Sequence, residues 1–222
     1  MHKPKTAVMV TGGIDSTTLL HMTAHLNPTP VTVDYGHDAF GRQVEMLQPH
    51  IDKLGLPPLE ILKVEFPKWQ RREGLFTPGY ESHEVDPLNE WDKLRYEEFF
   101  IEGRNATMVL AALAWCSAHK VDELLAGYLY APVEWEKRRT YKLMTGDNSP
   151  QFVDTMNMLT NVGFSHQVRF RAPFYELRWG KDDVIAEGKR LGVDFSSTHS
   201  CYFVPACGKC DNCLLRAEFL GA

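Results

Sequence analysis

The chain has 222 residues, 44% of them hydrophobic, and its 24 Lys and Arg against 29 Asp and Glu give a formal net charge of −5. That suits one compact domain, or one with a small appendage, whose core needs no disulfide staple. The acidic balance argues against a broadly basic nucleic-acid surface, and no stretch approaches the ~20 apolar residues of a membrane span. The apolar run after the basic start Met1-His2-Lys3-Pro4-Lys5 breaks at Gly12-Gly13, too soon for a secretory signal. A cytoplasmic, reducing location is therefore expected, and the five cysteines need an explanation other than disulfides.

In chain order the pattern is a repeated strand-then-helix rhythm, which predicts an α/β domain with a largely parallel sheet covered by helices. Thr6 to Val10 reads as a strand and Ser16 to His25 as its helix; Val31 to Tyr35 is a second strand, followed by a helix from Phe40 to Leu54. Leu59 to Val64 makes a third strand. From Pro67 to Arg95 prolines, charges and aromatics replace any period, the pattern of a long functional insertion. An Ala/Leu-rich helix is expected over Asn105 to Ala118, then a strand at Glu123 to Gly127, a second irregular stretch over 128–150, and a helix from Gln151 to Leu159. Val168 to Arg171 is a last strand and Lys181 to Leu191 a last helix. The organisation expected is an α/β domain over 1–195 and a cysteine-rich segment over 196–222.

The turn after the first strand, Val10-Thr11-Gly12-Gly13-Ile14-Asp15-Ser16-Thr17-Thr18, carries the most chemistry. Strand, paired glycines, hydroxyls and helix in that order present backbone N–H groups and a helix N-terminus to an anion. Adjacent glycines let the backbone approach a phosphate where a Cβ would block it. Ser16, Thr17 and Thr18 add hydroxyls, and Asp15 either holds Mg²⁺ or caps the helix. Glycine pairs and Asp-Ser also occur in ordinary turns, so composition alone leaves both readings open. As an ordered string, the segment resembles the SGGxDS loop of the PP-loop ATP pyrophosphatases, with Thr11 in place of serine. That resemblance implies ATP cleaved between its α- and β-phosphates, with AMP passed to an acceptor.

Cys201, Cys207, Cys210 and Cys213 have 5, 2 and 2 residues between them. Such thiolates can close tetrahedrally on Zn²⁺, and an iron–sulfur cluster also fits the spacing. Four protein ligands leave no open position, so a zinc there is structural. Cys116, alone within Ala114-Trp115-Cys116-Ser117-Ala118, reads as a small core side chain.

Taken together, the N-terminal loop and the tail Ser200-Cys201-Tyr202…Cys207-Gly208-Lys209-Cys210-Asp211-Asn212-Cys213 resemble the QueC family of 7-cyano-7-deazaguanine synthases. Further landmarks follow in the same order. Val33-Asp34-Tyr35-Gly36-His37 resembles its FDYGQ segment, and Gly103-Arg104-Asn105 its PARN segment. Arg171-Ala172-Pro173-Phe174 with Lys181 resembles APL…K, and Ser197-Thr198-His199-Ser200-Cys201-Tyr202 resembles TWSCY with His199 for tryptophan.

The resemblance implies a PP-loop, HUP-like fold with helices on both faces of the sheet and a C-terminal zinc knuckle. It implies ATP contacts from Val10, Thr11, Gly12, Gly13, Asp15, Ser16, Thr17, Tyr35, Gly36 and Arg104, and catalytic roles for Asp15, Ser16 and Lys181. Substrate contacts fall to His37, Asn105 and Asp147, and zinc to the four tail cysteines. On the residues alone, Arg104 and Lys181 could equally be exposed first-turn side chains and Asn105 a simple N-cap. The implied cofactors are ATP, Mg²⁺ and Zn²⁺. The implied substrates are 7-carboxy-7-deazaguanine and ammonia, in a homodimer without membrane or direct nucleic-acid partners.

Departures cluster in the acceptor region. The family's segment resembling N-A-x-D-x-S-G-Y-P-D-C-R is replaced by Tyr128 to Glu136 and Thr145 to Pro150, where Asp147 lacks a following arginine. Lys137-Arg138-Arg139, Tyr141, Trp69, Trp91 and Arg71-Arg72 have no counterpart. They fit either loop packing or a different acceptor, such as an amine on a protein in a defence system. An RNA-sulfurating PP-loop enzyme is a further alternative, against which the acidic charge weighs.

Overall fold

A computed structural model describes residues 4–66, 101, 103–130, 149–208 and 210–221. The irregular stretch over 67–95, most of that over 128–150, and with it Asp147, Trp69, Trp91, Arg71-Arg72, Lys137-Arg138-Arg139 and Tyr141, lie outside the described residues. Five strands, β1 (Thr6–Met9), β2 (Thr29–Asp34), β3 (Glu60–Lys63), β4 (Glu123–Leu125) and β5 (Arg169–Arg171), form one sheet in the order β3-β2-β1-β4-β5. Every pairing is parallel, as the strand–helix rhythm predicts.

Side-chain alternation along the central strands shows why helices cover both faces. Ala7 packs with Val109, Ala112 and Leu113 of α3 (Arg104–Ala118) and Met156 of α4 (Pro150–Gly163). Its neighbour Val8, with Val10, packs instead with Leu19 and Leu20 of α1 (Ile14–Thr23), Leu47 and Ile51 of α2 (Phe40–Leu54) and Val184 of α6 (Lys181–Arg190). On β4, Leu124 and Leu125 divide between the same two clusters.

Most expected elements form within a few residues of their expected limits, and α4 runs four residues further, to Gly163. Two helices emerge only with the fold: α5 (Pro173–Leu177), one turn led by a proline, and α7 (Asp211–Leu220), which starts at the last cysteines. Asp15 does not cap α1; Gly13 holds that position, in extended conformation, and Asp15 sits in the first turn. Asn105 is not an N-cap either, because Gly103, at φ 67°, starts α3 in a left-handed conformation that a β-carbon disfavours.

Two close approaches fix where the functional groups fall. Gly188 in α6 lies against α1, where an added Cβ would come within 2.8 Å of Thr18 Oγ1 and 2.4 Å of Phe195 Cζ. At its other end, Asp183 Oδ2 accepts the Gly180 backbone N–H at 2.9 Å and fixes the first turn that carries Lys181. Acidic Asp182 and Asp183 at the start and Lys189 and Arg190 at the end also complement the helix dipole.

A buried histidine pair ties α2 to both α1 and the start of the tail. His50 Nε2–H donates to Ser197 O at 3.0 Å, so its Nδ1 accepts from His21 Nε2–H at 2.9 Å. Burial lowers both, His21 to about 4, and the folded state therefore holds them neutral. This stabilisation is complete above the unfolded value near 6.5 and is lost as pH falls toward 4. The melting temperature is expected to drop between pH 7 and pH 5, and to drop less in His21→Gln, which keeps an N–H for His50 but does not titrate. Equal drops in thermal melts at fixed ionic strength would refute this.

Candidate active site

The strand order reverses between β1 and β4, and in open parallel sheets the crevice beyond that switch point is where ligands bind. A cavity of about 240 Å³ lies there. It is lined by Met9 at the end of β1, Val10, Thr11 and Gly13 in the turn after it and Ile14, Asp15 and Ser16 of α1, and from β2 and its following turn by Thr32, Val33, Tyr35 and His37. Arg104, Asn105 and Met108 of α3 and Lys181 of α6 complete much of the wall.

The turn after β1 is shaped by its own hydroxyls. Ser16 Oγ accepts the Thr11 backbone N–H at 3.0 Å and donates toward Gly13 O at 3.3 Å, with Thr11 Oγ1 at 3.2 Å. Gly13 O also accepts Thr17 N–H at 3.1 Å, which begins α1. The first-turn amides of α1 have no intrahelical acceptor, and Ile14, Asp15 and Ser16 all line the cavity. Gly12, at φ 70°, is held between two elements. An added Cβ would fall 2.4 Å from the Gln43 carbonyl oxygen, and the Gly12 carbonyl accepts His199 N–H at 2.8 Å. Gly127, just past β4, comes close on the other side: its Cβ would lie 3.4 Å from the Asp15 backbone.

Lys181 is no free surface lysine. Its ammonium donates to Asp15 Oδ1 at 2.6 Å, and its side chain is only 11% exposed. Cation and carboxylate together border the cavity, a pairing that can divide between an anionic ligand and a divalent cation.

Across the cavity stands an aromatic and cationic wall. His37 stacks on Tyr35 with centroids 4.3 Å apart, and the Arg104 guanidinium lies 6.0 Å from the Tyr35 ring and 5.5 Å from that of Tyr202. Burial drives the Tyr35 phenol above its ordinary range, against the pull of Arg104. His37 is lowered by burial to about 4 and is neutral.

Of the described nucleotide and substrate residues singled out from sequence, four stand back from the cavity lining. Thr17 and Thr18 are fully buried, their Oγ1 atoms without a hydrogen-bond partner among the described residues. Gly12 turns the chain rather than facing the opening. The Gly36 N–H is taken by Asp34 Oδ1 at 2.9 Å. Sequence reasoning in turn missed Gln43, Met108, Asn212 and Leu215, which line the cavity from helices. Only the tertiary arrangement brings them there; of the four, Asn212 alone lies in a motif, between the last two cysteines.

The four tail cysteines meet. Their Sγ atoms all lie within 4.8 Å of one another, with Cys201 3.6 Å from Cys207 and 3.9 Å from Cys210, and Cys207 3.9 Å from Cys213. A tetrahedral site with metal–sulfur bonds of ~2.3 Å has sulfur–sulfur edges of roughly 3.8 Å, so the set fits a metal. Backbone N–H groups of Phe203 and Cys207 donate to Cys201 Sγ, and that of Cys210 to Cys207 Sγ, each at 3.4 Å, which favours thiolate. Cys116 is fully buried and pushed up by burial to about 12, an inert core thiol.

The knuckle and the cavity are one construction. His199, Ser200 and Tyr202 precede or flank the first cysteine, and Asn212 and Leu215 follow the third on α7; all five line the cavity. Arg216 of α7 donates to Thr198 Oγ1 at 2.7 Å and to the Phe195 carbonyl, while Phe219 and Leu220 pack against Ile14 and Ile185. Cys210→Ser is therefore expected to lower the melting temperature and also weaken ATP binding about tenfold or more, in calorimetry on the same preparation. Weaker folding with unchanged ATP affinity would separate knuckle from cavity. Gly12→Ala is expected to lower the melting temperature and to weaken ATP binding by at least about tenfold, since the Gln43 backbone must move and the left-handed turn is strained; an unchanged melt and an unchanged ATP Kd would refute the close approach.

The chain is similar to known proteins over nearly its whole length. Residues 5–221 match the family model described as queuosine biosynthesis protein QueC. The 7-cyano-7-deazaguanine synthase of Syntrophobacter fumaroxidans is 29% identical over 226 residues, covering 98% of this chain and 92% of that protein. The synthases of Methanocaldococcus jannaschii and Desulforudis audaxviator are 25% and 28% identical, over 96% and 94% of this chain and 92% and 93% of theirs. With the family model covering nearly its whole length, the chain belongs to the QueC family.

Proposed function

We propose that this chain converts 7-carboxy-7-deazaguanine to 7-cyano-7-deazaguanine, using two ATP and one ammonia. The observation that carries the reading is a glycine turn and a Lys181–Asp15 pair at the switch-point cavity of a chain whose relatives bear that synthase name. In the first step the carboxylate attacks the α-phosphorus of ATP, giving an acyl adenylate and pyrophosphate. Ammonia then displaces AMP to give the amide. A second adenylation at the amide oxygen lets the nitrile form with loss of AMP. No step asks for a protein nucleophile; the enzyme must hold two anions in line and meet the charge developing on phosphate.

The residues divide that work by position. First-turn amides of α1 and the Gly13 turn face the phosphates, with Ser16 bracing the turn. Lys181 supplies a cation to the transferring phosphoryl group, and Arg104 a second positive charge on the opposite wall. Asp15 would hold Mg²⁺, which when bound neutralises phosphate charge. Cys201, Cys207, Cys210 and Cys213 would hold Zn²⁺ as a structural clamp, the four-sulfur donor set leaving no site for substrate. Residues 196–222 are read as a metal-binding tail on the α/β domain.

The altered sequence around Asp147, without its arginine, favours a second reading of the same chemistry, in which a larger amine captures the adenylate. The family match supports a deazaguanine carboxylate over an RNA substrate. Incubating the protein with ATP, Mg²⁺ and 7-carboxy-7-deazaguanine, with and without ammonium, and following products by mass spectrometry tests both. Nitrile is the expected product; amide or stalled adenylate points to the amine-capturing variant, and no pyrophosphate release would end both readings.

A further inference from the structure

We propose that His37 determines ligand specificity: its Nδ1 accepts a hydrogen bond from an N–H of the flat, amino-bearing heterocycle that enters the cavity. The inference deepens the function proposed above and rests on it. Gln43 Oε1 lies 3.0 Å from His37 Nε2 and can only accept, so Nε2 carries the ring proton. Nδ1 is then a bare lone pair. It is buried, in a residue 5% exposed, and has no hydrogen-bond partner among the described residues.

The surroundings make that orphan informative. The ring is locked by stacking on Tyr35 and by edge contacts with Phe40 and Tyr202, 5.9 and 6.3 Å between centroids. Its neighbour Asp34 is committed to the Gly36 N–H. A buried acceptor left unmet is a standing cost, recovered when a ligand donates to it. Where the family segment quoted above has glutamine, with an acceptor and a donor, this chain offers an acceptor alone, and Gln43 acts as the positioning residue that fixes its tautomer.

Two ligands of the proposed reaction carry the required N–H: the adenine amino group of ATP, and the amino group and ring N–H of the deazaguanine. His37→Phe keeps a flat ring on Tyr35 and deletes the acceptor; His37→Gln restores a carbonyl acceptor. Affinity for the donating ligand is expected to fall about ten- to hundredfold in His37→Phe and to recover in His37→Gln. If adenine is the donor, the unmodified chain prefers ATP over the triphosphate of purine riboside, which lacks the amino group, and His37→Phe does not. If the deazaguanine is the donor, His37→Phe raises its KM in pyrophosphate release and leaves the ATP Kd within twofold.

Failure of pyrophosphate release in the unmodified chain would remove the proposed function, while the comparison of the two triphosphates would still decide the adenine arm. Should His37→Phe not fold, ¹⁵N-histidine spectra of the unmodified chain give the answer, because the Nδ1 resonance shifts when it accepts a hydrogen bond. No shift with either ligand overturns the proposal. So do twofold or smaller effects of His37→Phe on both ligands with melting unchanged.

Discussion

One hydrogen bond, from the His199 backbone N–H to the Gly12 carbonyl at 2.8 Å, joins the two ends of the chain. Gly12 can accept it only because its left-handed backbone turns the carbonyl out of the strand direction, with the Gln43 carbonyl too close behind to admit a side chain. The anion-facing turn is thereby held from three directions: by α2 through Gln43, by the tail through His199, and from within by Ser16. A loop of two glycines would otherwise be the least ordered part of the crevice, since glycine loses most freedom on folding. The tail supplies the order that the turn's own residues cannot.

The charges obey the same logic. A lysine at the start of a helix meets an unfavourable dipole, and Asp182 and Asp183 in that turn, with Asp15 across the gap, offset it. Asp15 in turn lies in the first turn of α1, where a carboxylate is favoured. The pair thus links the first turns of two helices that Gly188 allows to approach, and Asp15 and Lys181 border one cavity. An anion arriving there meets the α1 N-terminus and an ammonium together. Solvent exposure of 11% and 30% for the two side chains keeps an exchange of partners within reach of modest energies.

Much of this was legible in the sequence because it is written locally. Strand, glycine turn and helix lie within eighteen residues, and cysteine spacing fixes which sulfurs can share a metal. The parallel sheet and its covering helices follow from apolar runs alternating with helical periods, whereas the strand order emerges only with the fold. What was not legible comes from contacts between distant segments. Locally Asp15 reads as either a Mg²⁺ holder or a cap, and only the fold shows Lys181, 166 residues away, taking its carboxylate. Asn105 looked like a cap because nothing local shows that Gly103 adopts a left-handed start. The helix α7 was obscured by its own cysteines, whose spacing speaks of metal rather than of helix, and Gln43 sits mid-helix with no motif around it.

The chemistry assigned to the cavity explains why its protein groups are so uniformly positional. Adenylation and aminolysis proceed through attack by substrate atoms, so a nucleophilic side chain would compete for the activated phosphorus or acyl carbon. Among the described residues the five thiols are withheld from that role: Cys116 is buried and held protonated at neutral pH, and the other four converge on a metal-sized tetrahedron. Of the imidazoles lining the cavity, His37 is neutral and anchored at one nitrogen. What remains are fixed amides, two cations and an acceptor. Such an inventory can recognise an adenylate and hold it, with the attacking atoms left to the substrates.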